Sequence, residues 1–247
     1  MKNDRTRYLY SGVRTPADFM KTFLLLLSAL FLIHCKEPNT NRMGIFNKFF
    51  GPRTTANAGP APDTLEKTAD LLDEEQYWTL IDASLKATRS QGAQEQYLIR
   101  ELGRLTPKEI IGFRLRTDKH LYDSYTSNMW CAGYIMNGGC SDDGFEYFRN
   151  WVISRGKETY YKAKENPDNL VIEAVRGRDS YEFEGFWYVA LNAFEAKTGK
   201  DLYDYIDDSR FTTREGQYPP IQFTWKEGNP ESMKKICPKL FERFWDN

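Results

Sequence analysis

The sequence predicts a mainly α-helical protein: one compact multi-helix domain behind an extended, mostly disordered N-terminal leader and tether. Apolar residues recur at intervals of three and four through much of residues 73–197, which is the spacing of one helix face. Several of these runs begin with a capping residue and end at glycine or proline. Residues 36–70 are instead rich in Pro, Gly, Asn, Thr and Ala, a composition that buries little apolar surface. We therefore divide the chain into a leader (1–35), a tether (36–70) and a helical domain (71–247).

Composition excludes several kinds of function. The 247 residues carry 34 Lys and Arg against 35 Asp and Glu, a formal net charge of −1. This balance argues against a nucleic-acid partner, which normally requires a clustered basic excess. The two histidines, His34 and His120, are too few for multi-histidine zinc sites and leave little room for Ser-His-Asp catalysis. We predict neither a metal nor a cofactor.

The leader resembles an export signal. Phe23–Ile33 is a run of 11 apolar or small residues behind Lys21, too short to span a bilayer. The segment that ends this run, at Cys35, resembles the lipobox of bacterial lipoproteins, although His34 stands where a small residue is usual. The sequence therefore predicts lipidation of Cys35 and membrane attachment at the cell envelope. The alternative is translation from Met43, which predicts a cytoplasmic protein.

The first two helices follow from their apolar spacing. Asp73 is a suitable N-cap for a helix whose inner face carries Tyr77, Trp78, Ile81 and Leu85. A second helix is predicted over residues 93–104, with Tyr97, Leu98 and Leu102 on one face.

The third helix has the clearest start signal. Thr106, Pro107 and Glu109 form a capping box with proline at the first helical position. Charges interrupt the middle of this helix, and His120 among them is predicted to be solvated. Residues 128–136 are nearly uncharged and predict a buried fourth helix that ends at the following glycines.

Shorter elements complete the domain. Ser141 caps a predicted helix over 142–155, which Gly156 ends as a left-handed cap. Helices are also predicted over 157–164 and 182–197, and an alternating stretch at 221–225 favours a short extended piece. Pro230 begins a last short helix, before an aromatic C-terminal tail that docks on the domain.

The densest motif, GGCSDDGF at residues 138–145, supplies the candidate cluster. Ser141, Asp142 and Asp143 stand at a helix start, where capping and the helix dipole explain them without any further role. The alternatives are a carboxylate pair that binds a divalent cation or shares a proton, or a surface that binds a partner. Cys140 is predicted to be a small buried residue, with a reactive thiol as the alternative.

Two further residues belong to this candidate binding cluster. Arg149 lies among apolar positions of the same helix and is predicted either to pair with Asp143 inside the protein or to snorkel half-exposed. Trp151 is predicted to lie in the core, as are Trp130, Trp187, Trp225 and Trp245, with a groove lined by two of these tryptophans as the alternative. With Cys131 and Cys237, the domain has three cysteines, an odd number that excludes a complete disulfide framework.

The motifs resemble a known family. The GGCSDDGF segment is followed by FRxWxIxxG at Phe148–Gly156, and both are similar to the signature of a bacterial family catalogued as domain of unknown function 4240. An Asn-Pro-Asp turn at residues 166–168 and Pro-Lys-Leu-Phe at 238–241 extend the resemblance over about residues 73–245. The resemblance implies a mostly helical domain and no activity, substrate or ligand. Family members usually look cytosolic, so the leader is a departure from them.

Two classes of function remain open. The shortage of catalytic residue types favours a non-catalytic interaction module for an unknown protein partner, tethered to the envelope if the leader is a signal. The alternative is an enzyme that uses Asp142, Asp143 and Arg149 in a cleft, with or without a divalent cation.

Overall fold

A computed structural model describes residues 65–175, 178, 180–214 and 217–245. The leader, with Cys35, and most of the tether, with Met43, lie outside these residues. The described part contains nine α-helices, two 3-10 helices and no strand, which confirms the mainly helical class. None of these helices combines the length and the apolar character needed to cross a membrane.

The helices follow one another through short connections. In chain order they are α1 Glu74–Ala87, α2 Gln91–Leu102, α3 Pro107–Asp123, α4 Ser127–Asn137, α5 Asp142–Ser154, α6 Lys157–Glu165, α7 Glu184–Thr198, α8 Pro230–Ile236 and α9 Pro238–Phe244. The two 3-10 helices are Pro167–Glu173 and Leu202–Tyr205. The predicted extended piece at 221–225 is not a strand. β-Pairing within the described residues is limited to the isolated bridges Thr68–Ile206 and Lys226–Asn229.

Capping side chains fix most of the predicted helix starts. In the capping box of α3, the Glu109 amide donates to Thr106 Oγ1 at 3.3 Å and the Thr106 amide donates to Glu109 Oε2 at 2.8 Å. Gly138 ends α4 in the left-handed conformation, as predicted. The prediction for Gly156 is wrong: its φ of 94° and ψ of 173° are not the left-handed helical values, and it precedes α6 as the N-cap.

Helix α7 lies at the centre of the packing, where it contacts α2, α3 and α5. The C-terminal α9 packs on α4 and on the first 3-10 helix. On α3, the chain approaches most closely at Gly112, where a Cβ atom would lie 2.7 Å from the Leu72 nitrogen. Because this position has no side chain, the Leu72 amide donates to the Gly112 carbonyl at 2.9 Å and fixes the segment before α1 against α3.

The prediction that His120 is solvated is wrong. Its side chain is only 3% exposed, on the inner face of α3. The ring centroid lies 4.8 to 5.3 Å from those of three buried aromatic residues, Tyr77, Trp78 and Tyr160. The neighbouring charged residues suggested a surface helix, but the position of His120 on α3 turns it towards α1 and α6.

Burial makes His120 a source of acid sensitivity. Burial and, to a smaller extent, the positive charge of Arg116 lower the pKa of the imidazole from 6.5 to about 3, against the opposing effect of Glu74 and Asp123. Between these two pKa values the unfolded chain binds a proton that the folded protein does not. Acidification through this window therefore reduces the free energy of unfolding.

We predict that His120→Phe weakens this dependence. The free energy of unfolding of the variant should fall less between about pH 7 and pH 4 than that of the wild type, because the aromatic packing remains without the titrating group. Urea unfolding at several pH values measures both slopes. Comparing slopes rather than absolute stabilities separates titration from any packing cost. If the pH dependence is equal in the two proteins, then His120 does not take up a proton when the chain unfolds.

Candidate functional site

The start of α5 holds the serine and aspartates of the GGCSDDGF motif. Ser141 Oγ accepts a hydrogen bond from the Gly144 amide at 3.1 Å, so the serine is the N-cap. Asp142 and Asp143 are exposed in the first turn, where the positive end of the helix dipole favours carboxylates. Among the described residues, no group of three or more His, Cys, Asp or Glu side chains is placed to hold a metal ion.

Arg149 does not pair with Asp143. The arginine is 1% exposed, and its Nη1 donates to the Leu121 carbonyl oxygen at 2.6 Å, while Nε donates to the Phe145 carbonyl oxygen at 3.3 Å. Leu121 is in the last turn of α3, where helix carbonyls lack intrahelical partners and carry partial negative charge. The guanidinium of Arg149 therefore supplies both a donor and a positive charge to the C-terminal end of α3.

Aromatic rings enclose the same guanidinium. Its central carbon lies 4.6 to 5.0 Å from the ring centroids of Phe145, Tyr125 and Tyr218. The negative faces of aromatic rings attract a cation, and this attraction is stronger where water is excluded. Arg149 is thus a buried structural cation that organises the aromatic side chains around it.

Trp151 is also interior, at 1% exposure, and its ring meets Tyr181 edge to face at 5.0 Å. The structure therefore does not bring the six residues of the predicted cluster together at one site. Cys140, Ser141 and Asp142 line an open groove, whereas Arg149 and Trp151 are buried in the core. Asp143 is exposed but is not among the residues that line the groove.

This aromatic groove has a volume of about 500 Å³. Trp130 of α4 and two residues of the segment before α8, Phe223 and Trp225, provide its aromatic lining. Phe223 is 51% exposed and lies edge to face with Trp130 at 5.4 Å. Cys140, Ser141 and Asp142 line the groove from the start of α5, and Lys226 and Glu227 complete it.

Contacts from α4 and α5 position the aromatic residues of the groove. The Trp130 ring stacks on Phe145 with centroids 4.3 Å apart, and Phe145 in turn contacts the Arg149 guanidinium. The Trp225 indole nitrogen donates to the Ser127 carbonyl oxygen at 2.9 Å. The groove is therefore held by the first turn of α4 on one side and by the aromatic cluster around Arg149 on the other.

The environment of Cys140 disfavours the thiolate. Burial raises the pKa of its thiol to about 12, and the negative charge of Glu182 contributes in the same direction. At neutral pH the group is therefore a thiol rather than the reactive thiolate. In the groove it acts as a small, half-buried apolar surface.

The sequence interpretation missed a buried ion pair and the position of Phe223 in the groove. Arg114 pairs with Asp118 through two contacts of 2.7 and 3.2 Å, and its guanidinium lies over the Trp187 ring at 3.4 Å. The spacing of four residues between Arg114 and Asp118 was a usable signal, although it is equally common on exposed helix faces. For Phe223, the alternation at 221–225 suggested only an extended piece and did not indicate which residues the ring contacts.

The structure defines the class of protein as a mainly helical domain with an aromatic groove beside a capped helix start. The chain belongs to the family described as Protein of unknown function (DUF4240), whose model matches residues 72–196, just over half of the chain. Neither the curated proteins nor the solved structures include a match. The family resemblance is thus confirmed over 72–196. The matched range includes Cys140, Asp142 and Trp130 but ends before Phe223.

We predict that Arg149→Met lowers the free energy of unfolding by about 1–3 kcal/mol, because the buried Leu121 carbonyl loses a charged donor while the apolar volume is largely kept. Lys86→Met, at an exposed position in the last turn of α1, is the matched control and should change stability by less than about 0.5 kcal/mol. Urea unfolding measures both variants. A wild-type stability for Arg149→Met would contradict a structural role for this cation.

Proposed function

We propose that the helical domain is a non-catalytic interaction module that binds a protein partner through the aromatic groove. The observation that carries this proposal is the half-exposed Phe223 ring beside Trp130, in a concave surface of about 500 Å³. Aromatic side chains at the centre of a contact surface supply a large part of the binding energy in protein complexes. A large apolar side chain of the partner is the natural occupant of such a groove.

Charge complementarity favours a basic residue next to that apolar side chain. The groove includes two carboxylates, Asp142 and Glu227, against one ammonium group, Lys226. The capping hydrogen bond from the Gly144 amide is accepted by the Ser141 hydroxyl and not by the Asp142 carboxylate. We therefore infer a partner segment that carries an apolar side chain beside a lysine or arginine.

The alternative, an enzyme built on Asp142, Asp143 and Arg149, has less support. Arg149 is buried and donates to main-chain carbonyls, and Asp143 does not line the groove with Asp142. A shared proton or a divalent cation requires carboxylates that converge on one point. The exposed positions of the two aspartates in the first turn of α5 fit their role at the helix dipole instead.

We also propose that the leader anchors this module at the cell envelope through lipid attached to Cys35. The support is the apolar run behind Lys21 and the lipobox-like segment that ends at Cys35. A tether rich in proline and glycine would then leave the helical domain free to reach a partner near the membrane. Translation from Met43 would instead give a cytoplasmic protein with the same groove.

We predict that the full-length chain, expressed in a bacterium fed a fatty acid that carries an alkyne, becomes labelled and partitions with the membranes. Cys35→Ser should remove the label, because the lipid would be attached to that sulfur. In-gel fluorescence after fractionation measures both effects. A soluble, unlabelled product that starts at Met43 would exclude the anchor without affecting the proposal for the groove.

We predict that the purified chain recovers a stoichiometric protein partner from lysates of the organism that encodes it. Phe223→Ser and Asp142→Lys should each reduce recovery about tenfold or more, because one removes the exposed ring and the other reverses a charge. Ile172→Ser is the matched control, since Ile172 is 66% exposed and does not line the groove.

The comparison of these variants separates binding through the groove from nonspecific adsorption. Quantitative mass spectrometry should find the partner with the wild type and with Ile172→Ser at equal yield, and thermal melting should show that all variants are folded. A partner retained by both groove variants would contradict the proposed surface. Failure of repeated captures to recover any stoichiometric partner would contradict the interaction module itself.

A further inference from the structure

A second cavity, of about 540 Å³, lies where α1 ends and α2 begins, and arginine side chains line it. They come from three parts of the chain: Arg89 from the connection between α1 and α2, Arg155 from the end of α5, and Arg178 from the segment before α7. No carboxylate is among the described residues that line this cavity. Three positive charges are therefore concentrated in a protein whose formal net charge is −1.

Two of the guanidinium groups are held in place by neutral partners. Arg155 Nη2 donates to Gln94 Oε1 at 2.7 Å, and the buried Gln94 amide is fixed in turn by donating to the Ser154 carbonyl at 2.9 Å. Arg178 Nε donates to the Ser180 carbonyl at 2.7 Å. These bonds orient the two guanidinium groups without neutralising their charges, as a preformed anion site requires.

The electrostatic state of the cavity favours an added anion. Burial lowers the pKa of Arg155, and the positive charge of Arg178 lowers it further. Glu173 opposes this shift, and its carboxylate also accepts a hydrogen bond from the Thr159 hydroxyl at 3.1 Å. Since an arginine stays protonated at any physiological pH, Arg155 and Arg178 remain two like charges at this cavity, and Glu173, which is not among its lining residues, partly offsets them.

The start of α2 contributes to the same cavity. The helix begins at Gln91, and Ser90 caps it by accepting a hydrogen bond from the Ala93 amide at 3.2 Å. The first turn contains no acidic residue, so no side-chain carboxylate of that turn occupies the positive end of the helix dipole. A Cβ atom at Gly92 would have no neighbour within 4 Å, so the backbone there is open to approach.

We propose that this cavity binds the phosphate group of a small hydroxylated molecule, of the class of the sugar phosphates. Two or three guanidinium groups and a helix start match the charge and the oxygen geometry of a phosphate monoester. The volume exceeds that of phosphate alone and leaves room for an attached group. Polar residues such as Ser90 and Gln91 line that space, and no aromatic ring is among its described lining residues, which favours a polyol over a nucleoside.

The proposal is independent of the aromatic groove and is tested on the purified full chain. Isothermal titration should detect glucose 6-phosphate with a Kd below about 1 mM and inorganic phosphate more weakly, while glucose alone should not bind. Arg89→Gln and Arg178→Gln should each weaken glucose 6-phosphate binding about tenfold or more, because each removes a charged donor. Arg100→Gln, at an arginine that does not line the cavity, is the matched control and should bind as the wild type does.

Each remaining outcome is decisive. Absence of binding by both phosphate compounds, or wild-type affinity in Arg89→Gln and Arg178→Gln, would overturn the site. Equal affinity for adenosine monophosphate and glucose 6-phosphate would overturn the assignment to hydroxylated ligands. Arg155→Gln should also weaken binding, but its contact with the buried Gln94 gives it a structural part, so Arg178 and the exposed Arg89 decide the question.

Discussion

The buried guanidinium of Arg149 is the constraint on which the candidate site depends. A cation removed from water is costly unless hydrogen bonds and nearby negative potential replace its hydration. Here the Leu121 carbonyl at the C-terminal end of α3, the Phe145 carbonyl of α5 and three aromatic rings provide that replacement, so α3, α5 and the Tyr218 segment are bound to one another through a single charge. Phe145 contacts the guanidinium on one side and Trp130 on the other, and this places one wall of the groove. The need to stabilise the buried charge of Arg149 thus fixes the geometry of the groove at the surface.

Local chemistry made the helices predictable, whereas long-range packing did not. The capping box of Thr106 and Glu109, the serine cap at Ser141 and the left-handed Gly138 each depend on residues within one turn, and the structure has all three. His120 and Arg149 were harder, because whether a polar residue on a helix faces water or the interior is decided by elements far away in the chain. For His120 the deciding elements are α1 and α6, which supply the aromatic rings around it.

The site could be predicted in part, for the same reason. Cys140, Ser141 and Asp142 were identified from one dense motif, and they do share a groove. The aromatic residues on the other side of the groove could not be assigned to it from the sequence. Trp225, for example, is positioned by a hydrogen bond to Ser127, which is far away in the chain. Overall charge was similarly uninformative: a net value near zero conceals an acidic edge beside one concave surface and a concentration of arginine in another.

One side of the groove lies within the residues that match the family model, and the other side lies beyond them. Trp130 and the start of α5 lie within the matched residues, while Phe223 and Trp225 lie beyond residue 196, where the match ends. The matched residues therefore supply one side of the groove, and a short strip beyond residue 196 supplies the other. If relatives share the framework but diverge in that strip, they would differ in the partners they accept while keeping the same helices. Under the proposed function, specificity would then diversify through the exchange of a few residues in this strip.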